Sequence, residues 1–70
     1  MINNKSYIIL CMYDTLRVGK PVCADECMVD YGISIATFRR YISLLRAYFL
    51  ESRGLDVAYD SVKKEYRIMD

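Results

Sequence analysis

Two adjacent arginines, Arg39 and Arg40, stand one turn inside the stretch GISIATFRRYISLLRAYF, Gly32 to Phe49, which reads as a helix with an apolar face. Guanidinium groups so placed can grip phosphate or reach guanine edges, although paired charges on an exposed helix are commonly no more than a solvated face. Few other residues offer chemistry. The chain has no histidine, and Asp25, Glu26 and Asp30 fall in a short helical segment with no sign of a pocket, so an enzyme is not expected. Cys23 and Cys27 lie one helical turn apart, but three cysteines without a histidine fall short of the tetrahedral set that closes a structural zinc site. No metal or other cofactor is expected, and Cys27 reads as a small buried apolar residue. The seven tyrosines could stack on bases of a single strand. Tyr13, Tyr31, Tyr41, Tyr59 and Tyr66 instead sit on the apolar side of their elements, which predicts core packing with the hydroxyls at its boundary.

The elements that position the arginines must come from a chain of 70 residues, enough for one domain over 1–70 with one modest core and too little for a two-domain enzyme with a cleft. A hydrophobic fraction of 54% argues for a folded chain. The net charge of +1 announces neither a nucleic-acid binder nor an acid-seeking surface. Its distribution says more. Cys23 to Tyr31 holds Asp25, Glu26 and Asp30 against no basic residue, whereas Ser34 to Arg53 holds Arg39, Arg40, Arg46 and Arg53 against Glu51 alone. The opening MINNKSYIIL lacks the basic region and long apolar run of a signal peptide, and the cysteines are odd in number, so a reduced cytoplasm is the expected setting. No apolar run approaches the length of about 18 residues that would suggest a membrane span.

Ile9, Met12, Tyr13 and Leu16 fall on one helical face and predict a first helix over about 5–17, capped by Asn4 or Ser6 and ended by Gly19 and Pro21. Val22 reads as a single extended residue or a very short strand. A second helix over about 24–31 carries Cys27, Met28 and Tyr31 on one side and acidic residues in its first turn, where they favour the helix dipole. Gly32 supplies a tight turn and Ser34 a cap, so a third helix runs over about 35–53, closed by Gly54. With residues about 100° apart, Phe38, Tyr41, Ile42, Leu45, Tyr48 and Phe49 form its core stripe. Ala36, Arg39, Arg40, Ser43 and Ala47 occupy the opposite side, with Arg46 at the border, so a flat partner could approach closely there. Leu44 and Leu50 project off the stripe and are candidates for a protein or dimer interface.

From Leu55 the helical period gives way to alternation, and a hairpin over about 55–69 follows. A loop of Ser61, Val62, Lys63 and Lys64 pairs Asp60 with Glu65, Tyr59 with Tyr66 and Val57 with Ile68, which makes one hairpin face apolar and fixes its register. That face should pack on the helices. The expected fold is mainly α with a C-terminal β-hairpin, an α+β arrangement in the order helix, helix, helix, hairpin.

The segment Ala24 to Tyr41, followed by this hairpin, resembles the winged helix-turn-helix of bacterial transcription regulators of the DeoR type, and especially the amino-terminal domain of WYL-domain regulators. Cys27, Tyr31, Ile33, Phe38 and Tyr41 take the apolar offsets about Gly32. The recognition stretch of such domains often reads VSRRTIYRDIELL, to which Ile33 to Leu45 is similar, and the wing often reads YDRKRGGYRL, to which Tyr59 to Ile68 is similar. Ala36 replaces a frequent arginine, Tyr41 a frequent aspartate and Met28 a frequent alanine. The resemblance implies a sequence-specific binder of double-stranded DNA, a bacterial or phage-like transcription regulator. Ser34 and Thr37 would meet backbone phosphate, Arg39, Arg40 and Ser43 would face the major groove beside the small Ala36, and Lys63 and Lys64 would meet flanking phosphates. The alternative is a winged helix that binds protein rather than DNA, motivated by the near-neutral charge and the alanine at position 36.

Overall fold

The computed structural model describes residues 4–69; residues 1–3 and 70 of the expected domain lie outside the described residues. Three helices, α1 (Lys5–Arg17), α2 (Ala24–Tyr31) and α3 (Ile35–Arg53), precede an antiparallel hairpin of β1 (Asp56–Asp60) and β2 (Glu65–Met69). This is the winged helix-turn-helix topology.

Each helix begins and ends for a local reason. Asn4 caps α1, its Oδ1 accepting from the Tyr7 amide at 2.8 Å. Beyond Arg17 the amides of Gly19 and Lys20 turn back to the carbonyls of Leu16 and Thr15, at 3.0 and 3.1 Å. Gly32 ends α2 with φ 65°, its amide donating to the Met28 carbonyl at 3.0 Å. Two residues later Ser34 caps α3, its Oγ accepting from the Thr37 amide at 3.1 Å. Gly54, again at φ 65°, closes α3. An l-residue rarely adopts that backbone, so the glycines mark where the chain must change direction.

One core joins all the elements. Ile8, Met12 and Leu16 of α1, Cys27 of α2, Phe38, Tyr41, Ile42, Leu45 and Phe49 of α3, and Val57 of β1 are buried together with Val22. No charged or polar residue is buried among those described, so the core is held by apolar burial and shape. Val22 pairs with β2 by two 2.8 Å bonds to Tyr66. A single extended residue therefore anchors the α1–α2 connection to the hairpin. The register is Asp60 with Glu65, Tyr59 with Tyr66 and Val57 with Ile68, as the alternation predicts.

Four expectations need correction. The buried line of α1 is Ile8, Met12 and Leu16, and Ile9 and Tyr13 are its half-buried shoulder, because α1 presents its four-residue ridge to the core and its shoulder to α3. Tyr48 is not core; it stays 47% exposed, with its ring edge-on to Tyr13 and Phe49 at 5.8 and 5.9 Å. Tyr59 is 50% exposed, since it sits at the tip end of the hairpin and leans on Tyr66 at 4.9 Å. Leu55 lies outside β1 because its amide is still bound to the Phe49 carbonyl at 3.2 Å, completing the helix end.

A Cβ placed on Gly32 would meet nothing within 4 Å. Gly32→Ala should therefore cost only the left-handed backbone, about 1 kcal/mol, seen in urea unfolding as a lower midpoint at unchanged slope. A loss several times larger would mean that the turn makes contacts a glycine alone permits.

Candidate nucleic-acid interface

The site is assembled from the exposed side of α3 and the tip of the hairpin. Ala36, Arg39, Arg40, Ser43 and Ala47 are all exposed, and so is Ser34, whereas Thr37 is half-buried. The hydroxyls of Ser34 and Thr37 are 3.1 Å apart, and Arg40 Nη2 donates to Thr37 Oγ1 at 3.2 Å. Ser34 and Thr37 thus serve first as a cap, and Thr37 draws the Arg40 guanidinium along the helix toward its start.

The basic residues divide into two sets. Arg46 Nε donates to the Val57 carbonyl at 2.9 Å and lies 3.9 Å from Asp56. Arg53 Nη2 donates to the Tyr13 hydroxyl at 2.8 Å. Arg17 pairs with Asp14 at 3.7 Å, and Arg67 with Glu65 at 2.9 Å. Among the described residues Arg39, Arg40, Lys63 and Lys64 have no carboxylate partner within ion-pair distance. Their charge remains available to a ligand.

Asp60 builds the hairpin tip. Its Oδ1 accepts from the amides of Val62 and Lys63 at 2.9 and 3.1 Å, the side-chain mimic of a turn that aspartate favours. The Lys63 amide, then that of Val62, holds the carboxyl below its ordinary value of 3.8 despite slight desolvation. Because the folded value is the lower one, this stabilisation is present above the unfolded pKa and is lost as pH falls through the folded value. Lys64 follows with φ 57°, a left-handed conformation uncommon for a side-chain-bearing residue.

Arg39 and Lys64 are brought to one hollow of about 280 Å³. Asp25 and Ala24 of α2, Ile35 and Phe38 of α3, and Tyr59 and Tyr66 of the hairpin also line it. Arg40, Ser43 and Lys63 do not. Sequence reasoning missed Asp25 and Tyr59 here. Asp25 shows only as a dipole-favouring residue when α2 is considered alone, and Tyr59 falls on the apolar side of its strand; only the docking of hairpin on helix joins them.

Burial, with Asp30, Cys23 and Glu26 nearby, pushes the Cys27 thiol from 9.0 up to about 11, so it stays protonated at neutral pH and packs as an apolar group. Cys11, Cys23 and Cys27 are all free thiols.

The surface as a whole is that of a winged helix-turn-helix whose third helix and wing carry unpaired cations. No family model, curated protein or solved structure matches the chain.

The left-handed Lys64 generates a prediction. Lys64→Gly should raise stability by up to about 1 kcal/mol, because glycine adopts this backbone freely, and the gain is read from the urea midpoint. A fall in stability would mean that the lysine side chain itself supports the wing.

Proposed function

We propose that this protein binds double-stranded DNA sequence-specifically, with α3 in the major groove and the wing on flanking phosphates. The observation that carries this is the pair of exposed, unpaired arginines between small residues, Ala36, Ser43 and Ala47, with the lysine-bearing wing tip meeting the same side at the Arg39–Lys64 hollow. A major groove admits a helix, and small residues allow the backbone of α3 to come near the base edges. Arg40 is the residue proposed to reach a base, with Arg39, Lys63 and Lys64 neutralising phosphates. Ser34 and Thr37 add hydroxyl contacts to the backbone at the start of α3. The similarity to regulators of the DeoR and WYL-domain type supports a role in bacterial or phage-like transcription control. A reduced cytoplasm suits such a role, and among the described residues no helix is long and apolar enough to cross a membrane.

The protein-binding alternative has its own support in a different place. Ile9, Leu10, Tyr13, Leu44, Leu45 and Tyr48 line a groove of about 440 Å³ between α1 and α3, and Leu10 and Leu44 are 62% and 51% exposed at its edge. None of these residues lines the Arg39–Lys64 hollow. A homodimer through this groove is compatible with the DNA reading.

Duplex binding measured by fluorescence anisotropy should weaken steeply with salt, with a slope of about −2.7 to −3.6 if three to four phosphates are neutralised. Arg40→Ala should cost roughly 1 to 3 kcal/mol on a selected duplex and relax preference at one position, while Lys64→Ala should weaken all duplexes alike. Equal, sequence-independent losses from both would leave only non-specific binding. No binding to selected or random duplexes at low salt would overturn the proposal.

A further inference from the structure

We infer that Asp25 is an electrostatic brake on phosphate binding, acting at the hollow shared by Arg39 and Lys64; the inference rests on the DNA-binding reading above. The hollow has two cations on its rim, one from α3 and one from the wing, over an apolar floor that includes Ile35, Phe38 and Tyr66. Asp25 is the single acidic residue that lines it. It is exposed, and among the described residues it makes no ion pair and no side-chain hydrogen bond. Beyond the α2 dipole, which Glu26 also favours, no partner in the fold holds its charge.

The dipole of α2 favours an acid in the first turn, but Glu26 provides that one residue further on, and it faces a different hollow beside Cys23, Cys27 and Asp30. The acid at position 25 is thus not the only one that serves the dipole of α2. What position 25 does have is the approach to Arg39 and Lys64. A phosphate oxygen entering there meets two attractive charges and one repulsive one, all carried by residues that line the same hollow. The hollow then contributes about one net neutralised phosphate in place of two. Arg40 does not line the hollow, so the brake acts on backbone attraction and leaves base reading alone. A DNA face restrained in this way also accords with a net charge of only +1.

The test uses the whole chain and a random-sequence duplex, titrated by anisotropy between about 50 and 200 mM salt. Asp25→Asn should bind about three- to tenfold tighter at the low end and steepen the salt slope by about 0.9. Asp25→Asn should gain less in a Lys64→Ala background than in the wild type, the non-additivity of two charges that act at one place. Asp30→Asn, an equal charge change at the other end of α2, should leave binding unchanged. Asp25→Ser, which keeps a good residue for a helix start, repeats the measurement if the asparagine variant folds poorly, and unchanged unfolding midpoints certify both. An affinity within about twofold of wild type, or an equal gain from Asp30→Asn, overturns the brake while leaving DNA binding intact. Failure of the wild type to bind any duplex overturns both.

Discussion

Everything on the proposed binding surface depends on how Val57 is seated. Its side chain is fully buried in the helical core, and its carbonyl accepts from Arg46 of α3 at 2.9 Å. An isolated two-stranded hairpin is marginal in water, so β1 and β2 gain their order from what they dock on. Val57 supplies both parts of that docking. The apolar contact gives the energy, and the Arg46 bond fixes the direction of the strand across the helix. Tyr66 adds a contact with Phe38 at 5.7 Å, and Val22 clamps the outer edge of β2. The wing tip stands beside the start of α3 as a consequence.

This seating also explains why seven basic residues near the proposed interface do not act alike. Arg46 and Arg53 are used to tie α3 to the hairpin and to α1, and Arg67 is tied to its neighbour Glu65. A guanidinium with a fixed partner is a poor phosphate ligand, because binding must first break what it already has. Among the described residues Arg39, Lys63 and Lys64 carry no side-chain hydrogen bond or ion pair, and Arg40 is held only by the Thr37 hydroxyl one turn back on its own helix, at 3.2 Å. Counting charges along α3 gives four arginines of equal standing, and the packing ties two of them, Arg46 and Arg53, to other elements.

Much of the architecture was legible because local signals agreed with one another. Gly32 followed by Ser34, Gly54 after Arg53, and the alternation on either side of the Lys63–Lys64 loop each mark a boundary or a register by backbone chemistry alone, and the structure follows them. What was not legible depended on neighbours from other elements. Ile8 and Ile9 are equivalent by hydropathy, and only the angle at which α1 meets α3 decides that Ile8 is buried. Tyr48 and Tyr59 fall on correct periodic positions yet lie at the rim, Tyr48 on the open groove between α1 and α3 and Tyr59 near the hairpin tip. The candidate site shows the same division: Arg39, Arg40 and Lys64 were visible as charges, but the meeting of Arg39, Lys64 and Asp25 of α2 at one hollow is a tertiary fact.

Lys64 concentrates the conflict between folding and binding at one residue. The turn built by Asp60 requires a left-handed backbone four residues on, at φ 57°, where glycine would be the unstrained choice. Lysine there costs folding energy and adds nothing to the core, since its side chain is exposed. The same backbone brings it to the hollow that contains Arg39. Strain of this kind is retained where the surrounding structure imposes it and where the group so placed has a task. The register of five paired residues on each strand and the Asp60 turn impose it, and under the proposed function the task is that of a second cation at the hollow of Arg39.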